Sequence, residues 1–242
     1  MQIVLLGASG RLGQRIVLNL EEKKIKWIPL QRTHLNFYEN FEKFLREIKE
    51  PTLFLDVSLP EASVNCCEYL LKYFSLHTNS TSFFTGLIIG TTGHKEKKVF
   101  LDLSRHMPLC LVSNFSKGVF LFEQILSAQT GQGKPLKDLF TELGFEIRMN
   151  EVHHIHKKDA PSGTALTLAE KIQFPIEKIT SDRQGDVIGV HSVQLVADSE
   201  ELMMTHSAFS RDLFASGAVD LCLKFFHKKP VAGFYNKDFF WM

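Results

Sequence analysis

The chain has 242 residues, of which 44% are hydrophobic and 23% charged, a composition typical of one or two globular domains with apolar cores. Its 28 lysines and arginines nearly balance its 27 acidic residues, so the net charge of +1 excludes an overall field that would attract nucleic acid or an anionic membrane. The four cysteines lack metal-ligand spacing and the density of a disulfide scaffold, and we recognise no signal peptide or membrane span. We therefore expect a cytoplasmic protein whose basic sites are local.

A glycine-rich turn follows the first predicted strand. Gln2–Leu6 is a short apolar run, the sequence G-A-S-G-R-L-G starts at Gly7, and Gln14–Glu22 has a helical pattern. In such a unit Gly7 permits the tight turn, Gly10 lets the backbone approach a pyrophosphate and Gly13 lets helix and strand pack closely. Glycine-rich turns also arise for steric reasons alone, and the spacing G-x-x-G-x-x-G differs from G-x-G-x-x-G. The position after an N-terminal strand nevertheless favours dinucleotide binding.

Strands and helices alternate over the rest of the first half of the chain. The predicted strands are Trp27–Leu30, Leu53–Val57, Leu87–Ile89 and Leu109–Val112, and the predicted helices are Phe41–Lys49, Glu61–Tyr73 and Glu96–His106. This alternation predicts an α/β fold with a Rossmann-like, doubly wound parallel sheet. Ligands of such sheets bind beyond the carboxyl ends of the strands. Polar residues occur at those ends, namely Gln31, Arg32, Ser58, the run from Gly90 to Gly93, and Ser113 with Asn114.

The region after Asn114 predicts a different architecture. A helix at Val119–Gln129 is followed by strands and one further helix. The predicted strands are Phe140–His153, Gly189–Val196 and Leu202–Ser207, and the helix is Ala165–Gln173. This order indicates a second, α+β domain with a mainly antiparallel, mixed sheet.

The densest group of reactive side chains lies between the strand that ends at His153 and the next helix. From Glu151 to Ala165 the sequence reads E-V-H-H-I-H-K-K-D-A-P-S-G-T-A, with three histidines and two lysines directly before a helix start. Either Asp159 or Ser162 can cap that helix, which leaves backbone N–H groups at its first turn to face an anion. Cations beside a helix N-terminus suit a small substrate with carboxylates, and an imidazole can also transfer a proton. We expect this segment to be an exposed loop.

The loop allows two other interpretations. His154 and His156 share a side of an extended chain and could ligate zinc, but Lys157 and Lys158 would repel a dication and no cysteine is near. We therefore predict no metal. A solvated basic loop would account for the histidines and lysines by themselves, but it leaves the adjoining helix start unexplained.

The run H-H-x-H-K-x-D-A-P-S-G-T-A, from His153 to Ala165, resembles the signature of the 4-hydroxy-tetrahydrodipicolinate reductase family, also called dihydrodipicolinate reductases. This resemblance implies reduction of a cyclic dicarboxylate by NADPH or NADH, with loss of water, in the diaminopimelate route to lysine. It implies that His153 is the general acid and Lys157 a second catalytic residue, and that the substrate carboxylates are bound by His154, Lys157, Gly163 and Thr164. It also implies a homotetramer.

The same resemblance assigns the two domains and the cofactor site. Residues 1–114, completed by 212–242, would bind the dinucleotide, and residues 115–211 would bind the substrate and form the oligomer. The implied cofactor-binding residues are Gly7, Ala8, Ser9, Gly10, Arg11, Leu12, Gln31, Arg32, Gly90, Thr91, Thr92, Ser113, Asn114 and Phe115. The first residue after the second strand is often acidic in the family and is Gln31 here. Because an acidic residue there repels the 2′-phosphate of NADP, Gln31 followed by Arg32 predicts a preference for NADPH.

Two rival functions use the same glycine turn. The sequence A-S-G-R-L-G also resembles regulators that bind a dinucleotide and sense its redox state without catalysis, but such a protein would not need the histidine-rich loop. A sugar-nucleotide epimerase or a short-chain reductase would need a Tyr-x-x-x-Lys pair. Tyr69 is followed four residues later by Tyr73, and Tyr38 by Glu42, so these tyrosines do not form that pair.

Overall fold

A computed structural model describes residues 1–77 and 83–242. The chain forms two compact units, one made of Met1–Phe115 and Phe214–Met242 and the other of Ser116–Leu213. We call these unit 1 and unit 2. Each unit has its own sheet and its own apolar core.

Strands and helices alternate through the first five strands of unit 1, whereas in unit 2 three successive strands follow one another without an α-helix between them. The strands are β1 (Gln2–Leu6), β2 (Lys26–Leu30), β3 (Thr52–Asp56), β4 (Phe84–Ile89), β5 (Pro108–Leu111), β6 (Glu146–His153), β7 (Thr180–Arg183), β8 (Gly189–Val196), β9 (Glu201–Ala208) and β10 (Gly233–Tyr235). The helices are α1 (Arg11–Glu22), α2 (Tyr38–Glu47), α3 (Pro60–Leu76), α4 (Lys98–Ser104), α5 (Lys117–Leu126), α6 (Leu136–Glu142), α7 (Gly163–Ile172), α8 (Asp212–Lys228) and α9 (Asp238–Trp241). Short 3-10 helices span Arg32–Leu35 and Ile176–Lys178.

Unit 1 contains a six-stranded sheet in the order β10-β5-β4-β3-β1-β2, and all its strand pairs are parallel. Every residue of β1 is buried because the two faces of the sheet are both covered. Ile3 and Leu5 pack into the core beneath α1 and α8, whereas Val4 and Leu6 pack into the core beneath α2, α3 and α4. This explains why parallel strands read as continuous apolar runs, and it confirms the predicted doubly wound α/β fold.

Unit 2 contains a four-stranded sheet in the order β7-β6-β8-β9. β6 pairs in parallel with β7 and antiparallel with β8, and β8 pairs antiparallel with β9, so the sheet is mixed, as predicted. Helices α5 and α7 supply Phe122 and Leu168 to the core on one face, where they meet Met149 and Val193 of the central strands. The second unit therefore buries one face of its sheet in the part of the chain described.

One predicted element was wrong in its extent. We expected a single strand over Phe140–His153, but Leu136–Glu142 is helix α6 and the strand starts at Glu146. The helix begins directly after Pro135 and ends at Glu142, two residues before Gly144, whose φ of 85° is in the left-handed region. Proline before a helix and glycine after it are typical helix boundaries, and they outweigh the apolar spacing that suggested a strand.

The chain ends in two elements that the sequence did not predict. Strand β10 extends the parallel sheet beside β5, and helix α9 packs into the same core as α8. The ring of Phe240 is fully buried and stacks on Phe225 with ring centroids 4.6 Å apart. The C-terminal segment is thus part of the unit 1 core. Each helix in residues 1–77 and 83–242 is too short or too polar to span a bilayer.

Candidate functional site

A cleft of about 960 Å³ opens in unit 1 at the carboxyl ends of β1, β2 and β3. The turn from Gly7 to Gly10 lines it, and α1 begins directly afterwards at Arg11. Gly7 has a φ of 91°, and a Cβ at this position would lie 2.6 Å from the carbonyl oxygen of Val57. A glycine is therefore required where the turn passes close to the neighbouring loop.

The predicted cofactor-binding residues divide into two groups. Those that line the cleft are Gly7, Ala8, Ser9, Gly10, Gln31 and Arg32. The others lie outside its lining, and they are Arg11, Leu12, Gly90, Thr91, Thr92, Ser113, Asn114 and Phe115. Residues that the sequence did not suggest also line it, including Leu35, Leu59, Glu61 and Asn65 from the first 3-10 helix and the start of α3. These belong to helices rather than strand ends, so the strand-end rule could not find them.

Two of the predicted cofactor-binding residues, Thr91 and Phe115, have buried side chains that contact other protein groups. The Thr91 hydroxyl donates to Asp56 Oδ1 at 3.0 Å and accepts from the Ser58 amide at 2.9 Å. This network ties the loop after β3 to the loop after β4. The Phe115 side chain is buried against Gly90, where a Cβ would lie 2.3 Å from the ring. The buried side chains of Thr91 and Phe115 thus hold these loops together and do not line the cleft.

In unit 2 the predicted helix start is present at α7. Ser162 is its N-cap, because the Ser162 hydroxyl accepts from the Ala165 amide at 3.2 Å. Of the two predicted caps, the structure selects Ser162. Gly163 and Thr164 occupy the first two helical positions, where backbone amides point outward from a helix N-terminus. This is the arrangement expected for binding a carboxylate.

The loop between β6 and α7 is held by Arg183 at the end of β7. The guanidinium donates to the carbonyl oxygen of Lys157 at 3.2 Å and also to the carbonyl oxygen of Asp159. The Lys157 ammonium lies 2.8 Å from both carboxylate oxygens of Asp159. Lys157 is therefore fixed at its backbone, while its side chain makes an ion pair at an accessible position.

The sequence predicts an exposed loop for His153, and that prediction is wrong. His153 is the last residue of β6 and its side chain is only 9% exposed, whereas His156 is exposed and His154 is half-buried. The reason is the alternation of β6: Met149, Glu151 and His153 all point to the buried face of the sheet. Extending the observed period of two past Met149 would have found this signal in the sequence.

Three buried polar groups meet at this end of the sheet: Glu151, His153 and His191. Glu151 Oε2 lies 3.2 Å from His153 Nδ1 and 3.8 Å from His191 Nε2, while Glu151 Oε1 accepts from the Ser162 amide at 3.0 Å. The His153 contact is at ion-pair distance although its alignment falls outside hydrogen-bond geometry. Ser162 Oγ and His191 Nε2 are 3.1 Å apart. A carboxylate, two imidazoles and a helix cap thus form one connected cluster.

The cluster shifts two ionisation equilibria. Burial alone would raise the pKa of the Glu151 carboxyl, but its contacts with His153 and Ser162 hold that pKa well below its usual range. Burial lowers the pKa of His191 to about 3, and the neighbouring His153 adds to that effect. At neutral pH the cluster therefore contains a charged Glu151 and an uncharged His191.

The same three residues offer ligand atoms within 4.8 Å of one another, a spacing that one metal ion could use. Arg183 already places a guanidinium nitrogen 3.2 Å from Glu151 Oε1, and Lys157 acts on His191 as a further positive charge. These positive charges oppose the binding of a dication, and Arg183 already compensates the charge of the carboxylate. We interpret the group as a hydrogen-bonded polar cluster.

Comparisons with known proteins agree with one another. A family model described as dihydrodipicolinate reductase, C-terminus, matches residues 122–239. A 4-hydroxy-tetrahydrodipicolinate reductase of Bdellovibrio bacteriovorus is 30% identical over 95% of this chain and 92% of its own length, and one of Aquifex aeolicus is 31% identical over 98% and 97%. The solved structure of a dipicolinate-bound dihydrodipicolinate reductase from Paenisporosarcina sp. TG-14 has a TM-score of 0.66 and 17% identity, and covers 98% of this chain and 97% of that one.

The depressed pKa of His191 predicts how stability depends on pH. The unfolded chain takes up a proton at this residue as pH falls through about 6.5, whereas the folded chain does not, so stability is lost on acidification. His191 should contribute about 2 kcal/mol to the decrease in unfolding free energy between pH 7 and pH 5. Urea unfolding at both pH values should show a smaller decrease for His191→Gln than for the wild type. His156→Gln, at an exposed position, is the matched control and should keep the wild-type difference. Equal pH dependence in both variants would contradict this assignment.

Proposed function

This chain belongs to the 4-hydroxy-tetrahydrodipicolinate reductase family, and from that premise we propose that it reduces 4-hydroxy-tetrahydrodipicolinate to tetrahydrodipicolinate with loss of water. The observation that carries the proposal is that His153, at the end of β6, and Lys157, in the loop that follows, lie on the segment that leads into the N-terminus of α7. An acid, a cation and a helix N-terminus are the groups that a dicarboxylate substrate needs.

The cofactor site is proposed for the cleft in unit 1. The glycine turn gives room for a pyrophosphate beside the start of α1, and Gly10, which precedes the helix, offers no side chain to cap it. The loops after β4 and β5, with Gly90, Thr92 and Ser113, complete the set that we assign to the cofactor. When bound, the reduced nicotinamide supplies the hydride.

Unit 2 is proposed to bind the substrate and to deliver the proton. Lys157, with His154 and the amides of Gly163 and Thr164, would hold the substrate carboxylates. In the structure the Lys157 ammonium pairs with Asp159, so a substrate carboxylate would take the place of an existing acidic partner. His153 would then protonate the enamine that hydride addition to carbon 4 produces. A positioned general acid contributes roughly 10²- to 10⁴-fold to a rate.

The oligomer and the compartment are part of the same proposal. We assign a homotetramer, which is supported by the exposed side chains of Leu202 and Met203 on the outer strand β9. We assign the cytoplasm, which is supported by four cysteines that are all free and buried.

Turnover is the direct test of the proposed reaction. The protein is mixed with NADPH and with freshly prepared product of dihydrodipicolinate synthase, and the loss of absorbance of reduced nicotinamide is followed. We expect oxidation of NADPH that depends on both protein and substrate. Binding of NADPH without turnover would contradict the proposal and favour a redox-sensing regulator.

Replacing Lys157 and replacing His153 should change the steady-state kinetic constants in different ways. Loss of a charge-assisted contact with a carboxylate weakens both binding and positioning, whereas loss of the acid mainly slows the chemical step. Lys157→Ala should therefore raise KM and lower kcat, and His153→Gln should lower kcat with a smaller change in KM.

Steady-state kinetics of both variants checks this, with Lys158→Ala as the control because Lys158 is the exposed neighbouring lysine. We expect kcat/KM to fall at least about tenfold in each test variant and to remain near the wild-type value in the control. The assigned roles are wrong if neither test variant reaches that loss.

We also propose that NADPH is preferred to NADH. Gln31 places no carboxylate at the end of β2, and its backbone amide donates to His34 Nδ1 at 3.1 Å, which fixes the start of the 3-10 helix. Arg32, the next residue, is exposed and lines the cleft. A charge-assisted hydrogen bond to the 2′-phosphate is worth roughly 1.5–3 kcal/mol, or about ten- to a hundredfold in affinity.

Arg32→Ala should therefore reduce the ratio of kcat/KM for NADPH to that for NADH by about tenfold or more. Arg105→Ala is a suitable control, because Arg105 is an exposed arginine of the same unit that does not line the cleft. A wild-type preference for NADH, or an unchanged ratio in Arg32→Ala, would remove Arg32 from the phosphate site.

A further inference from the structure

The Glu151 carboxylate is fully buried and contacts three other elements of unit 2. Its Oε1 atom accepts hydrogen bonds from the backbone amide of Ser162, at the start of α7, and from a guanidinium nitrogen of Arg183, on β7, at 3.2 Å. Its Oε2 atom faces His191, on β8, and lies 3.2 Å from Nδ1 of His153. A buried carboxylate with this many partners is fixed in place, and its Oε2 atom keeps capacity to accept a hydrogen bond.

The sheet register explains why these groups meet. Glu151 pairs directly with His191 across the antiparallel β6–β8 ladder, and His153 pairs with Arg183 across the parallel β6–β7 ladder. Residues two apart on a strand share a face, so Glu151 and His153 point to the same side. The carboxylate therefore reaches the Nδ1 edge of the imidazole that we assign as the acid.

The opposite edge of the His153 ring lies next to Gly189, the first residue of β8. A Cβ on Gly189 would lie 3.0 Å from His153 Nε2 and 3.4 Å from Cδ2. The absence of a side chain at Gly189 thus leaves the Nε2 edge uncrowded. One edge of the ring therefore faces a carboxylate, and no side chain projects from Gly189 toward the other edge.

We propose that Glu151 is a positioning residue that keeps the Nδ1 atom of His153 protonated and the ring oriented, so that Nε2 is the atom that delivers the proton. This inference rests on the proposed function, because it deepens the role of His153 as the acid. In the transfer the Nε2–H bond breaks with its electron pair staying on nitrogen, and a C–H bond forms on the enamine. The imidazolium becomes a neutral imidazole with hydrogen on Nδ1, and water returns the proton for the next turnover.

The charged and titratable groups that face His153 fit this role. Glu151 supplies the negative charge on β6, Arg183 lies beside it on β7, and neutral His191 faces it from β8 with ring centroids 5.1 Å apart. Because Arg183 binds the Oε1 side of the carboxylate, Oε2 is left to orient the imidazole. Apo enzymes often show such catalytic hydrogen bonds poorly aligned, and they tighten when substrate binds.

The kinetic test uses Glu151→Gln, which removes the negative charge of the side chain and keeps its shape. In Glu151→Gln the amide can still accept from Ser162, but its NH₂ group would donate to His153 Nδ1 and displace the proton from that atom. We expect kcat to fall at least about tenfold, toward the full contribution of a general acid, with a smaller change in KM. Glu146→Gln is the matched control, because Glu146 is an exposed glutamate at the start of the same strand. A kcat for Glu151→Gln within about threefold of the wild type would overturn the proposal.

A spectroscopic test does not depend on activity. The ¹⁵N spectrum of the histidine-labelled protein is recorded at a pH where the imidazoles are neutral, and the His153 signals are assigned by their loss in His153→Gln. We expect the Nδ1-protonated tautomer in the wild type and the Nε2-protonated tautomer in Glu151→Gln. An Nε2-protonated wild type would overturn the proposal even if Glu151→Gln failed to fold.

Gly189→Ala tests the other edge of the ring. The added methyl should displace Nε2, so kcat should fall while the Nδ1-protonated tautomer is retained. A fully active Gly189→Ala would overturn Nε2 as the delivering atom. A wild type that shows the expected tautomer but no turnover would instead contradict the proposed function, so the two failures are distinguishable.

Discussion

The burial of one carboxylate, that of Glu151, constrains the candidate site of unit 2 more than any other interaction. A charge without access to water is tolerated only where it is paired and hydrogen-bonded, because its desolvation costs several kcal/mol. Here the partners are the Ser162 amide, the Arg183 guanidinium and the His153 imidazole. Each partner also organises something else: Ser162 caps α7, Arg183 holds the loop that contains Lys157, and His153 is the proposed acid. A single buried charge thereby sets the relative positions of the helix cap, of His153 and of the loop that contains Lys157.

Unit 1 follows a different constraint, namely that parallel strands place their carboxyl ends at one edge of the sheet. The glycine turn after β1 and the polar residues after β2 converge there for that reason, which is why the sequence could predict the cleft from strand ends alone. The sequence could not predict which side chains line the cleft. Thr91 is drawn into a hydrogen-bond network with Asp56, and Phe115 into the core, by contacts between loops that are distant in sequence.

In unit 2 the sequence predicted the histidine-rich loop and the helix start because both are local. His191 and Arg183 were missed because their link to Glu151 depends on the register of β6 against β7 and β8, which no local pattern specifies. The α6 helix was missed because apolar spacing was given more weight than the proline and glycine that bound it. The buried position of His153 was within reach, since the same alternation that buries Met149 also buries Glu151 and His153.

The proposed function depends on hydride transfer from a bound nicotinamide to a cyclic dicarboxylate that this chain's residues hold and protonate. Its most direct test uses NADPH carrying deuterium at both C4 positions, with analysis of the product by mass spectrometry and NMR. We expect a product that carries one deuterium from the cofactor, on carbon 4, and a second hydrogen taken from solvent. A product without cofactor-derived deuterium, or label retained entirely in the nicotinamide, would contradict it.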